Sequence, residues 1–221
     1  MLNLLEHYIG NSVPGGVFTT NSSLSNKVDP DGSFRPFFGS TVVFSLDART
    51  KFALAGLQRG LYCEVGQMLA QPLTADTFHM TLHDLVNGSV HSEALARDME
   101  RVKDQVLPLL QIWQNEPPLQ MRATRTFNLV HTSVVLGLEP SDADSWRQLD
   151  RMYQELEAVV PLGYGLTPHI TLAYYKPGSY SEADAARLRA TLGPSELELL
   201  LPMQALTYQS FWDMNHYREW R

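Results

Sequence analysis

Apolar positions recur along this chain with two periods, and the period switches at regular places. Thr41 to Leu46 reads as a β-strand. Between 49 and 70, Leu54, Leu57, Leu61, Val65 and Met68 recur at steps of three and four, which predicts an amphipathic helix; Gln71-Pro72 ends it. A strand follows at about 77–86 and breaks at Asn87-Gly88. Ser92 can cap a second helix that carries Leu95, Met99, Val102, Val106, Leu109 and Trp113 on one stripe. Pro108 lies inside that stripe and is expected to kink or shorten the helix. Beyond Pro117-Pro118 a third strand spans about 119–130.

The order then repeats. A strand runs from His131 to Leu138, and a helix over about 142–160 carries Trp146, Leu149, Tyr153, Leu156 and Val160. The next strand covers about 167–175. Pro177-Gly178 turns the chain, and Ser181-Glu-Ala-Asp184 has the form of a capping box for a helix ending near Gly193. Strand-like segments close the chain at about 196–202 and 205–214. Residues 1–39 are different: Pro14-Gly15-Gly16 and Asp29-Pro30-Asp31-Gly32 are turn signals, and the segment reads first as an irregular arm, packed and passive, with a lid over the rest or partial disorder as the alternatives.

The two halves match in detail. Thr41-Val-Val-Phe-Ser-Leu-Asp47 aligns with Ser133-Val-Val-Leu-Gly-Leu-Glu139, 92 residues on. Thr77-Phe-His79-Met-Thr81-Leu82 aligns with Thr167-Pro-His169-Ile-Thr171-Leu172, 90 residues on. Each half therefore reads β-α-β-α-β, with T-x-H-x-T-L on its second strand. This internal repeat predicts one compact domain over 40–221, with lobe one at about 40–130 and lobe two at about 131–214. Side chains alternate faces along a strand, so His79 and Thr81 share one face while Met80 and Leu82 share the other; His169 and Thr171 stand the same way against Ile170 and Leu172. An imidazole and a hydroxyl leave the polar face together, twice.

Composition narrows the setting. The chain has 221 residues, 44% of them apolar, and a formal net charge of −7. That size suits one large domain or two packed lobes. The acidic balance argues against an extended nucleic-acid surface, which needs a basic face, but leaves room for a small nucleotide or a single RNA end. No apolar run approaches a membrane span, and the first residues lack the basic head and apolar run of a signal peptide. The single cysteine, Cys63, excludes an internal disulfide and fits a reducing, cytoplasmic compartment. A monomer is expected.

The paired motifs His79-Met80-Thr81-Leu82 and His169-Ile170-Thr171-Leu172 resemble those of the 2H phosphoesterase superfamily, named for its two histidines. The Phe37-Phe38-Gly39-Ser40-Thr41-Val42-Val43 stretch with Phe78-His79-Met80-Thr81 resembles an uncharacterised bacterial branch of it. The resemblance implies an α+β fold: a pseudo-twofold pair of lobes, mainly antiparallel sheets, and a central cleft that takes one motif from each lobe. It also implies metal-independent chemistry, without a cofactor, on 2′,3′-cyclic phosphates, 2′–5′ linkages or related small phosphoesters.

That chemistry suits these residue types. Opening a cyclic phosphodiester removes one proton from water and delivers another to the departing ribose oxygen. Histidine, with an unperturbed pKa near 6.5, serves either task. Thr81 and Thr171 then supply donors to the non-bridging oxygens, as in an oxyanion hole. Strand parity adds Thr41, Val43 and Ser45 and, opposite them, Ser133, Val135 and Gly137 as cleft liners. Tyr175 shares parity with His169 and is a candidate to stack on a base; His83 shares parity with His79 and is expected at the rim. Arg35 and Lys176 are candidate phosphate neighbours on loops, and His131 a cleft neighbour at most. Other readings stay open. The cleft could bind a nucleotide without turnover, or run in the direction of 2′–5′ ligation. A metal site from His79, His83 and Asp84 is disfavoured, because residues four apart on a strand lie about 13 Å apart.

Overall fold

The computed structural model describes residues 13–220. The first twelve residues of the expected arm, with His7, lie outside the described residues. From Val13 the arm packs on the body. Phe18, Leu24 and Val28 are fully buried, and a two-residue strand β1 (Phe18–Thr19) is followed by a 3-10 turn at Ser22–Asn26.

The first half then gives β2 (Phe38–Ser45), α1 (Ala48–Val65), β3 (His79–Gly88), α2 (Glu93–Trp113) and β4 (Leu119–Leu129). The second gives β5 (Ser133–Pro140), α3 (Ala143–Glu157), β6 (His169–Tyr174), a short β7 (Ser179–Tyr180) that pairs with β1, α4 (Glu182–Thr191), β8 (Glu198–Leu201), β9 (Leu206–Asp213) and β10 (His216–Trp220). The helices start where the sequence places oxygen caps. Asp47 accepts from the Thr50 amide, Ser92 from Leu95 and Asp142 from Ser145; Ser181 and Asp184 form the expected capping box.

Eight strands make one sheet in the order β10-β9-β2-β3-β6-β5-β4-β8, antiparallel throughout. Four strands lie on each side of the β3–β6 junction, and that junction rests on the single pair Met80–Ile170. Each half of the chain also lends strands to the other side. β4 pairs with β5 and β8, and β9 pairs with β2. The lobes of the sheet are thus not the two halves of the chain, and the exchange ties them together.

The helices cover one face. α2 lies on β3, β9 and β2, α3 on β4, β3 and β5, and α1 on β6 beside α4. Between them Val42, Phe44, Met80, Leu82, Val134, Leu136, Ile170 and Leu172 are fully buried, each such side chain contributing about 1.5–3 kcal/mol. The opposite face carries the motif histidines.

Three local expectations shift. α1 ends at Val65 and tightens into a 3-10 turn; Leu57 is exposed, and Gln58 takes the buried place on the stripe. α2 continues through Pro108. Pro108 lies on the exposed side of the helix, where water can satisfy the carbonyl that its missing N–H leaves free. The last strand segment continues past Asp213 into a hairpin with β10, whereas the apolar pattern alone predicts an end near 214. No helix among the described residues is long and apolar enough to cross a membrane.

Candidate active site

The two motifs meet at the centre of the sheet. Met80 pairs with Ile170, residues at equivalent places in the repeat, so a local twofold passes through that pair. One step to either side, the antiparallel register sets His79 beside Thr171 and Thr81 beside His169. The histidines then lie on a diagonal, with Cα atoms about 7–8 Å apart or more as the strands splay. That spacing suits two groups working on opposite sides of one phosphorus atom.

Both motif strands then break step in the same way. Against β2, Thr81 pairs with Val43 and His83 with Val42, so β3 holds one extra residue at Leu82. Against β5, Thr171 pairs with Val135 and Ala173 with Val134, so β6 holds one extra residue at Leu172. These are β-bulges, and each flips the parity of the residues after it. Gln58 Nε2 donates to the carbonyl of Leu172 at 3.0 Å and pins the second bulge from α1. Thr41 Oγ1 donates to the His83 carbonyl at 3.0 Å beside the first.

The parity change corrects two expectations. Tyr175 does not reach the cleft: it is fully buried on the helix side, edge-on to Phe18, and Tyr174 takes its place in the cavity wall. His83 likewise leaves the cleft face, and Asp84 enters it. His79 and His83 therefore stand on opposite faces and cannot share an ion.

The two imidazoles are held alike. His79 Nδ1 lies 2.7 Å from the Thr77 carbonyl oxygen, and His169 Nδ1 lies 2.6 Å from that of Thr167. A carbonyl only accepts, so Nδ1 carries the hydrogen in each ring and Nε2 is left for the cavity. Burial lowers the pKa of His79 to about 4, against the opposing pull of the Thr77 carbonyl and the Asp84 carboxylate. Burial also lowers that of His169, again opposed by its carbonyl and by Asp84. The Tyr217 ring stands edge-on to His79 at 5.2 Å.

A cavity of about 890 Å³ opens over this face, within the range of small-molecule sites. His79, Thr81, His169, Thr171, Thr41 and Ser133 all line it. Ser45 faces the same side, opposite His79, but lies outside the wall and accepts from Gln209 Nε2 at 3.4 Å. Arg35 is turned away. Its guanidinium donates to the Ser25 carbonyl at 3.1 Å and lies 3.6 Å from Asp29. Lys176 lines a separate shallow pocket near Gly32 and Gln71. Among the described residues, the cation lining the cavity is Lys27, supplied by the arm, with Nζ 5.0 Å from the Phe37 ring centre.

The parity rule missed Asp84 and Tyr174, although the sequence holds a trace of both bulges. The step from Leu82 to the next buried apolar residue, Leu85, is three rather than two; in β6 the same step separates Leu172 from Tyr175, with buried Ala173 at the place of His83. Lys27, Tyr164 and Tyr217 lie on the arm, a loop and β10, where no periodicity points to the cleft. His131 sits in the β4–β5 turn with φ 61°, its ring 5.2 Å from Phe18. Its neighbour Val130, at φ 42°, forms the cavity rim in a backbone region costly for a β-branched residue.

Behind the sheet, buried His83 lies 3.1 Å through Nε2 from Glu157, at the end of α3. Burial holds His83 below its usual pKa despite that carboxylate. Glu157 also accepts from the Leu162 amide at 2.9 Å, and the Tyr153 hydroxyl donates to the Tyr164 carbonyl at 2.5 Å. These bonds fix the loop that brings Gly163, Tyr164 and Gly165 to the cavity.

No family model matches the chain, and no curated protein gives a significant match. Solved structures do. A conserved protein of unknown function from Agrobacterium tumefaciens, ATU0111, superposes with a TM-score of 0.64 at 20% identity, over 91% of this chain and 92% of that one. TT0787 of Thermus thermophilus gives 0.56 at 16%, over 83% and 95%. LigT of E. coli, in complex with 3′-AMP, gives 0.53 at 16%, over 84% and 96%. The chain has the fold of these proteins.

Proposed function

We propose that this protein is a 2H phosphoesterase that hydrolyses a 2′,3′-cyclic phosphate, or a related small nucleotide or RNA-end phosphodiester, by paired histidine acid–base catalysis without a metal. The observation that carries the reading is the twofold arrangement itself. Two H-x-T units lie on adjacent antiparallel strands, each imidazole is tethered through Nδ1 to the carbonyl two residues before it, and all four side chains open into one cavity. A nucleotide-sized ligand has support from the cavity volume and from the 3′-AMP held by LigT on the same fold.

The chemistry follows from the geometry. In the free protein desolvation disfavours the charged form of both imidazoles. An arriving phosphodiester brings negative charge, which favours a proton on one ring. The neutral Nε2 takes a proton from water as its oxygen attacks phosphorus. The protonated Nε2 gives its proton to the departing ribose oxygen, leaving a phosphomonoester and a free hydroxyl. Each Nδ1–H bond to a carbonyl steadies the imidazolium when it forms, and Thr81 and Thr171 donate to the non-bridging oxygens as charge builds there. With a 5′-hydroxyl in place of water as the attacking group, the same four groups would open the cyclic phosphate to a 2′–5′ linkage, which is ligation.

The test is a panel of 2′,3′-cyclic nucleotides and 2′–5′-linked dinucleotides with EDTA-treated wild type, His79→Ala and His169→Ala. Turnover by the wild type and its loss in both variants is expected. Activity abolished by EDTA and restored by Zn²⁺ or Mn²⁺ would contradict the mechanism. Tight binding with no turnover would favour a nucleotide-binding role.

A further inference from the structure

The cavity is built alike in both halves as far as Thr81 and Thr171, and it diverges at the next cleft-facing residue. In β3 that residue is Asp84; ninety positions on, in β6, it is Tyr174, whose ring centre lies 5.9 Å from Lys27 Nζ. A carboxylate repels the anion that a phosphoesterase must hold. Beside its pull on the two imidazoles, it can accept hydrogen bonds from a donor-bearing part of the ligand.

Tyr164 shares this corner. Its ring is exposed at the cavity wall, and the Asp84 charge, after burial, helps to push its phenol up to about 12. The loop that carries it turns on Gly163, at φ 75°, and is anchored by Tyr153 and by Glu157, which His83 holds in turn. An aromatic face on an anchored loop and a carboxylate thus line the cavity together, while among the described residues the wall's cation, Lys27, lies with Tyr174.

We infer that the Asp84–Tyr164 corner is the nucleobase subsite of the cavity and that it selects guanine. The inference rests on the phosphoesterase reading above. Guanine presents two adjacent donors, N1–H and the exocyclic N2–H, which match the two oxygens of a carboxylate. Adenine and cytosine set one donor beside a ring acceptor, and uracil flanks its single donor with two carbonyls, so each turns a lone pair toward the carboxylate. Stacking on Tyr164 serves every base and leaves discrimination to Asp84. A good bidentate pair gives about 5–150-fold preference.

Two measurements test this together: kcat/KM for the four 2′,3′-cyclic nucleotides, and calorimetric binding of the four nucleoside 3′-monophosphates. Both use the wild type, Asp84→Asn and Tyr164→Ala. The expected result is guanine preference in both assays, levelled by Asp84→Asn, with Tyr164→Ala weakening all four ligands together. Equal values across the bases in the wild type, or no binding of any 3′-monophosphate, would overturn the inference. So would an Asp84→Asn loss by one common factor, the mark of a carboxylate that acts only on the histidines. Guanine-selective binding without turnover would uphold the subsite and sink the hydrolase reading; turnover without base preference would do the reverse.

Discussion

His79 and His169 occupy equivalent places in the repeat but stand in different surroundings. Each sits two residues before a threonine, is tethered to the carbonyl two residues back, just ahead of its strand, and precedes a bulge. His79, however, has the Tyr217 ring against it and feels Lys51, whereas His169 feels Lys27. Past the bulges, Asp84 faces Tyr174 across the pseudo-twofold. The shared parts are those that a symmetric proton exchange needs. The divergent parts lie where an asymmetric substrate must be told which way round to bind.

The comparison can be broken by removing its shared parts. His79→Ala and His169→Ala should each lower kcat by about 10²–10⁴-fold, since each removes one proton transfer. Loss from one alone, in steady-state assays of folded protein, would mean that the halves do not work as a pair. Thr81→Ala and Thr171→Ala should cost less, about 10–10³-fold, because each deletes one donor to the phosphoryl group and leaves the others.

Differences between the halves give smaller effects. Ser45 and Gly137 are equivalent, yet a side chain fits only the first. A Cβ on Gly137 would lie 2.8 Å from Phe127 Cε1 and from Thr124 Oγ1. Gly137→Ser should therefore cost about 1–3 kcal/mol in urea unfolding, as overpacking does; an unchanged midpoint would show that the β4 side gives way. Asp84→Tyr makes the first cleft positions past the bulges alike. It removes a charge that raises the pKa of both imidazoles, so the pH optimum of kcat/KM should move down, and an upward move would place that charge elsewhere.

Much of this was legible in the chain. The offsets of 92 and 90 residues fixed the repeat, and alternation put His79, Thr81, His169 and Thr171 on one face with Met80 and Ile170 behind them. Two kinds of information were not carried by alternation. A bulge reverses parity for everything after it, so alternation points Tyr175 at the cleft and His83 at its rim, where the structure has Tyr174 and Asp84. Long-range pairing decides which half a strand joins, so β4 and β9 were grouped with their own halves when the sheet exchanges them. Lys27 illustrates a third limit: an irregular arm has no period from which to read where its side chains point.

The claim that the two histidines act as one acid–base pair is tested most directly by the pH dependence of kcat/KM on a 2′,3′-cyclic nucleotide. The productive form has one ring protonated and one neutral. Activity must then fall at low pH, where both carry protons, and at high pH, where neither does. Because burial lowers both values in the free protein, the kcat/KM maximum should lie below about pH 6.5, the unperturbed histidine value. The kcat profile should lie higher, since bound phosphate holds the second proton. A bell of this form, lost in both His79→Ala and His169→Ala, is the predicted result; a rate that climbs steadily through about pH 9 would contradict it.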